Sequence, residues 1–174
     1  MKCAVGLDIA SLKSGAAVID NGQTFLYSLV LDKKADLEER IFKHGIWARS
    51  IVEAHPKIEC VFCESPVYVD RSRRDGKFLN VHNVVVISQV LGAVKACFWP
   101  CIVHQLQPSE WRLYTIGNIP APKGMTEREA LKLAAMKYTQ AAGLNPRNDD
   151  EADAYAILRA GLALVAKDKT LACC

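Results

Sequence analysis

Four acidic residues stand where a carboxylate is costly or oddly placed. Asp8 lies near the end of the apolar run Cys3-Ala4-Val5-Gly6-Leu7-Asp8-Ile9-Ala10, and Glu64 closes a second such run, Ile58 to Cys63. Asp150 and Asp153 open the last helical stretch, three residues apart and therefore on one helix face. An ionised carboxylate in a buried strand is unfavourable without a compensating partner. Asp8 is read either as a strand-end cap held by backbone N–H groups of the Ser11 to Gly15 turn, or as an acid that faces a cation. Four hard oxygen ligands suit Mg²⁺ or Mn²⁺, which keep waters and also take phosphate oxygens. Two such ions about 4 Å apart can activate a water and stabilise a leaving oxygen in an in-line displacement at phosphorus.

Acids also favour helix starts because they complement the macrodipole, and Asp149 and Glu151 are read in that way, as a capped and solvated first turn. Asp153 fits that reading less well. It is followed by Ala154-Tyr155-Ala156-Ile157-Leu158, a stretch expected to pack on both sides, and no nearby basic residue is an obvious partner.

The elements that must position these acids follow from local patterns. Gly15 to Asp20 and Gln23 to Val30 flank Asn21-Gly22, the strongest short hairpin signal, so the chain opens as an antiparallel meander. Asp36-Leu37-Glu38-Glu39 starts a helix that Pro56 ends, and the next strand carries Glu64 at its carboxyl end. A long helix is expected from about Leu79 to Phe98, with an apolar face wider than one sheet contact requires. Cys101 to Leu106 forms a fifth strand, and the segment from Pro108 through Trp111 and Arg112 a turn or short helix. Thr126-x-x-Glu129 caps a helix that Gly143 stops. The expected order is β-β-β-α-β-α-β-α-α, an α/β layered domain with helices on both faces of a five-stranded mixed sheet. Residues 1–166 are expected to form this single domain and 167–174 a flexible tail.

Length and composition agree. A chain of 174 residues can bury a core without staples, and 51% apolar with 24% charged residues argues against disorder. The net charge of +3 says little about partners, but Arg71, Arg73, Arg74 and Lys77 crowd one stretch. Seven cysteines and no signal-peptide core point to a reduced, cytoplasmic protein rather than a disulfide framework. Cys60 and Cys63 lie three apart on a strand and so face opposite ways, which prevents their sharing one metal. None of His44, His55, His82 and His104 falls at a metal-ligand spacing or in a nucleophile motif.

Taken together, Gly6-Leu7-Asp8-Ile9-Ala10-Ser11 through Gly15, Val61-Phe62-Cys63-Glu64, and Asp150-Glu151-Ala152-Asp153-Ala154-Tyr155-Ala156 resemble the RuvC family of Holliday-junction resolvases, within the RNase H-like superfamily. The resemblance spans nearly the whole chain, and its most specific part is the acid-x-x-Asp-Ala start of the final helix. It implies an RNase H-like fold, metal binding by Asp8, Glu64, Asp150 and Asp153, and two Mg²⁺ or Mn²⁺ ions per site. It also implies a basic residue at the scissile phosphate, which maps to Lys123; the alternative for Lys123 is a solvated loop lysine. The family's aromatic that stacks on junction bases has no match at Val67, and the nearest candidates are Tyr68 and Phe78. The segment around Trp111 looks more like phage-type members.

The implied activity is a paired, metal-dependent cut of four-way DNA junctions, leaving 5′-phosphate and 3′-hydroxyl ends, by a homodimer joined through the second helix, Val81 to Phe98. Arg71, Arg73, Arg74 and Lys77, with Tyr68 and Phe78, would then contact DNA. Alone, such a charge run is a solvated loop. Three other readings compete: an RNase H-like nuclease acting on flaps, forks or RNA-DNA hybrids; an actin-like or sugar-kinase-like ATP-binding protein, for which this length leaves no room; and a junction-binding module without catalysis.

Overall fold

A computed structural model describes residues 2–66, 81–117 and 119–167. Its elements are β1 (Cys3–Ile9), β2 (Lys13–Asp20), β3 (Gln23–Val30), α1 (Leu37–Ala54), β4 (Cys60–Glu64), α2 (Val81–Cys97), β5 (Val103–Leu106), α3 (Pro108–Thr115), α4 (Glu127–Ala141) and α5 (Asp149–Lys167). The stretch after Pro108, read above as a turn or short helix, is the helix α3. The strands form one sheet in the order β3-β2-β1-β4-β5. β1 pairs antiparallel with β2 and parallel with β4, which makes it the central strand.

Local chemistry accounts for most element ends. Asn21 and Gly22 both have positive φ, 48° and 83°, as a two-residue hairpin turn demands. Asp36 caps α1 by accepting from the Glu39 backbone N–H at 2.8 Å. Thr126 and Glu129 form the reciprocal capping box of α4, and Gly143, at φ 79°, follows its end.

Strand alternation then divides the molecule into two layers. Cys3, Val5 and Leu7 of β1, with Val61 and Cys63 of β4, pack under α1 and α2. Ala4 of β1 and Cys60 and Phe62 of β4 face α5 on the other side. Cys60 and Cys63 thus point to opposite faces, as a strand requires. Cys60 is disulfide-bonded, which corrects the expectation of an all-thiol chain.

The turn after Asp8 is tied to α1 by a chain of hydrogen bonds. The Ala10 N–H donates to Ser14 Oγ at 3.2 Å, and Ser14 Oγ lies 3.0 Å from His44 Nε2. His44 Nδ1 is 2.7 Å from the Arg40 carbonyl oxygen, which can only accept. Burial pushes the His44 pKa down, against the opposing effect of the Arg40 and Ala10 backbone, and Nδ1 donates to the Arg40 carbonyl.

α5 lies so close to the sheet that three of its contacts admit no side chain. A Cβ on Gly15 would fall 2.0 Å from the Asp150 carbonyl oxygen, and one on Gly6 2.3 Å from that of Ala154. Gly161 answers from the helix side, where a Cβ would meet the Phe62 ring at 2.2 Å. Backbone cannot yield as a side-chain tip can. Gly15→Ala is therefore expected to cost about 1–3 kcal/mol or more, measured by urea unfolding, with α5 displaced at its first turn.

Candidate active site

The same alternation selects Asp8 and Glu64. Both share parity with the residues that face α5, and both stand at the carboxyl ends of neighbouring parallel strands. Asp8 is paired in register with Gly15, on which the first turn of α5 rests. That turn carries Asp150 and Asp153.

The four acids act on one another electrostatically. Burial, and then the charges of Asp153, Glu64 and Asp150, push Asp8 well above the usual carboxylate range, against a smaller opposing effect of Lys132. Asp153 is pushed up to about 7 by burial and by Glu64 and Asp150, with Arg112 and Lys132 opposing. Burial also raises Glu64, while a hydrogen bond from Trp111 and the charge of Arg112 hold it back. One oxygen of Asp150, Oδ2, is buried and has no hydrogen-bond partner among the described residues.

Three further residues enter the site that the sequence reading did not assign to it. Trp111 of α3 donates its indole N–H to Glu64 Oε2 at 2.7 Å, fixing that carboxylate. Its neighbour Arg112 supplies a cation to Glu64 and Asp153. Lys132 of α4 pairs with Asp149 and bears on Asp8 and Asp153 as well. The Trp111-Arg112 dipeptide was visible as a motif, whereas Lys132 has no sequence signal beyond a charge on an ordinary helix.

Glu151 requires a correction. It is fully buried rather than solvated, and its carboxylate accepts from the Arg147 backbone N–H at 2.7 Å and from Arg147 Nε at 2.8 Å. It shares the first turn of α5 but points into the protein, where Arg147 supplies the needed counter-charge. Asp149, half-buried, is paired with Lys132 rather than only solvated.

Lys123 is exposed in the segment before α4 and is not among the cations that shift Asp8 or Asp153. Tyr68, Arg71, Arg73, Arg74, Lys77 and Phe78 lie outside the described residues, as does the expected tail after Lys167. On α2, Val85 is exposed while Val86, Val90, Leu91 and Val94 are buried. No helix among the described residues is long and apolar enough to cross a membrane.

The donor set fits a divalent ion. Four acids facing two cations, one of them shared with Asp149, leave negative charge uncompensated, and the unpartnered Asp150 oxygen is a ready ligand. The acids do not form a closed cage: among the described residues, the three ligand atoms that all lie within 4.8 Å of one another belong to Cys3, Asp20 and His55. An open set of carboxylates suits Mg²⁺, which retains water and dehydrates reluctantly.

No family model and no curated protein matches the chain. Among solved structures, Thermus thermophilus RuvC in complex with a Holliday junction substrate matches with a TM-score of 0.70 at 15% identity, covering 100% of both chains. A second structure of Thermus thermophilus RuvC matches with a TM-score of 0.61 at 19% identity, covering 99% of each. The described residues thus have the RuvC-type, RNase H-like fold.

Two outcomes test the electrostatics. Asp153, with a folded pKa of about 7 against an ordinary 3.8, holds a proton that the unfolded chain releases. Its contribution to stability is full below about pH 4 and is lost as pH rises to about 7. Thermal melts in EDTA should show this fall, and Asp153→Asn should flatten it. Trp111→Phe, which removes the N–H donated to Glu64, should cost about 1.5–3 kcal/mol and move Glu64 further upward on carboxyl titration by NMR.

Proposed function

We propose that this protein is a metal-dependent endonuclease that resolves four-way DNA junctions by paired phosphodiester hydrolysis. The reading is supported by the electrostatic coupling of Asp8 to Glu64, Asp150 and Asp153, with Asp8 and Glu64 at the carboxyl ends of β1 and β4, within a fold shared with RuvC. One of those RuvC structures is described as bound to a Holliday junction substrate.

In this reading the four acids hold two Mg²⁺ or Mn²⁺ ions, which when bound would lower the pKa of a water and neutralise charge developing at phosphorus. The chain's own residues do the positioning. Trp111 locks one Glu64 oxygen and so sets where the other points. Arg112 and Lys132 limit the repulsion among the acids, which lets them stand together before a ligand arrives. Lys123 would contact the scissile phosphate, and Arg71, Arg73, Arg74 and Lys77 would neutralise the DNA backbone, with Tyr68 or Phe78 stacking on bases. Cleavage would leave 5′-phosphate and 3′-hydroxyl ends. A twofold dimer through α2 would present two such sites to a substrate with two equivalent strands.

The test compares a synthetic four-way junction, a flap, a linear duplex and an RNA-DNA hybrid, each with Mg²⁺, Mn²⁺ or EDTA. Paired, symmetric nicks in the junction alone are expected, and none in EDTA. Preference for the flap or hybrid would keep the acid site and replace the substrate. Asp8→Asn and Glu64→Gln should fold and bind the junction but cleave it about a thousandfold or more slowly. Full activity in either variant would overturn the site assignment.

A further inference from the structure

We propose that Cys3, Asp20 and His55 form a second metal site, open at one coordination position, for a single Zn²⁺-class ion. It lies at the opposite end of β1 and on the opposite face of the sheet from the four acids, and it does not depend on the nuclease reading. Asp8 is five residue steps along the strand from Cys3, a span of about 16 Å.

The fold assembles this site from three elements. Cys3 and Asp20 are directly paired across β1 and β2, and cross-strand partners project from the same face. That face is covered by α1, whose C-cap is His55. The Cys3 sulfur, an Asp20 oxygen and a His55 ring nitrogen consequently all lie within 4.8 Å of one another. A thiol, an imidazole and a carboxylate are the ligand types that four-coordinate zinc takes, with the remaining position left for water. Sequence spacing hid this set, because its members lie at positions 3, 20 and 55.

The surroundings suit a cation. His55 Nδ1 is 2.9 Å from Asp20 Oδ2, and its other nitrogen, Nε2, is 2.7 Å from the Tyr27 hydroxyl. A zinc-binding histidine normally has such a partner on its second nitrogen, which fixes the tautomer and ring orientation. Without metal, Nδ1–H donates to Asp20 and the Tyr27 hydroxyl donates to Nε2. With metal on Nδ1, the ring proton resides on Nε2 and is donated to Tyr27, while the Cys3 thiol releases its proton. Burial, Asp20 and Glu59 push that thiol up to about 11, so a divalent charge is what would make the thiolate favourable at neutral pH. Asp20 is 23% exposed and gives the ion a route from solvent, whereas His55 is enclosed.

The probe is Co²⁺, whose visible bands report four-coordination and whose near-ultraviolet charge-transfer band reports a thiolate ligand. Titration of the full chain is expected to develop both at one equivalent, and Zn²⁺ to abolish them by displacement. Cys3→Ser and His55→Gln should lose the charge-transfer band, with folding checked by circular dichroism in EDTA. Asp8→Asn and Glu64→Gln should retain it, which separates this site from the carboxylate site. Zn²⁺ at about 100-fold above its Kd should raise the melting temperature of the parent protein by about 5–10 °C, and that of His55→Gln much less. A charge-transfer band that survives Cys3→Ser, or no such band at stoichiometric Co²⁺, would overturn the proposal.

Discussion

The seating of α5 on bare glycine backbone is the constraint on which the rest of the molecule depends. Gly6 and Gly15 remove side chains from the sheet, and Gly161 removes one from the helix where Phe62 stands. Carbonyl groups of α5 therefore approach closer than any Cβ would permit. The helix is buried along Ala152, Ala154, Ala156 and Ala160, small residues that maintain that closeness.

That closeness has an electrostatic cost, and the fold distributes the means of bearing it. Burial raises Asp8, Glu64 and Asp153, and neighbouring acids raise Asp8 and Asp153 further. Arg112 and Lys132 soften the repulsion without cancelling it. Glu151 shows the contrasting solution within the same helical turn, since its carboxylate is fully satisfied by Arg147 and is lost to any ligand. Adjacent acids thus have separate fates, one structural and one available.

Much of the fold was legible because its determinants are local. Asn21-Gly22, the Asp36 cap and the Thr126-Glu129 box each act within four residues, and the apolar runs fix which way their side chains alternate. The parity of Asp8 and Glu64 on neighbouring strands followed from the same alternation. The burial of Glu151, the grip of Trp111 on Glu64 and the reach of Lys132 were not legible. Each depends on how α3, α4 and α5 pack together, and nothing in the spacing of residues 111, 132 and 151 records that. The triad of Cys3, Asp20 and His55 was hidden for a related reason, since strand register brings the first two together and a helix end supplies the third.

The separation of the acids along the chain has a consequence for how the protein comes into being. Asp8 belongs to the first strand and Asp153 to the last helix, so the site closes a loop of more than a hundred residues. Contacts of such range form late, because the entropy of closing the chain must be met before the contact rewards it. A ribosome-bound chain that has emerged only as far as α4 carries Asp8 and Glu64 alone, half of the four acids. The cluster of four acids is complete only when α5 docks. A proteolytic nick that frees α5 would take Asp150 and Asp153 away from Asp8 and Glu64.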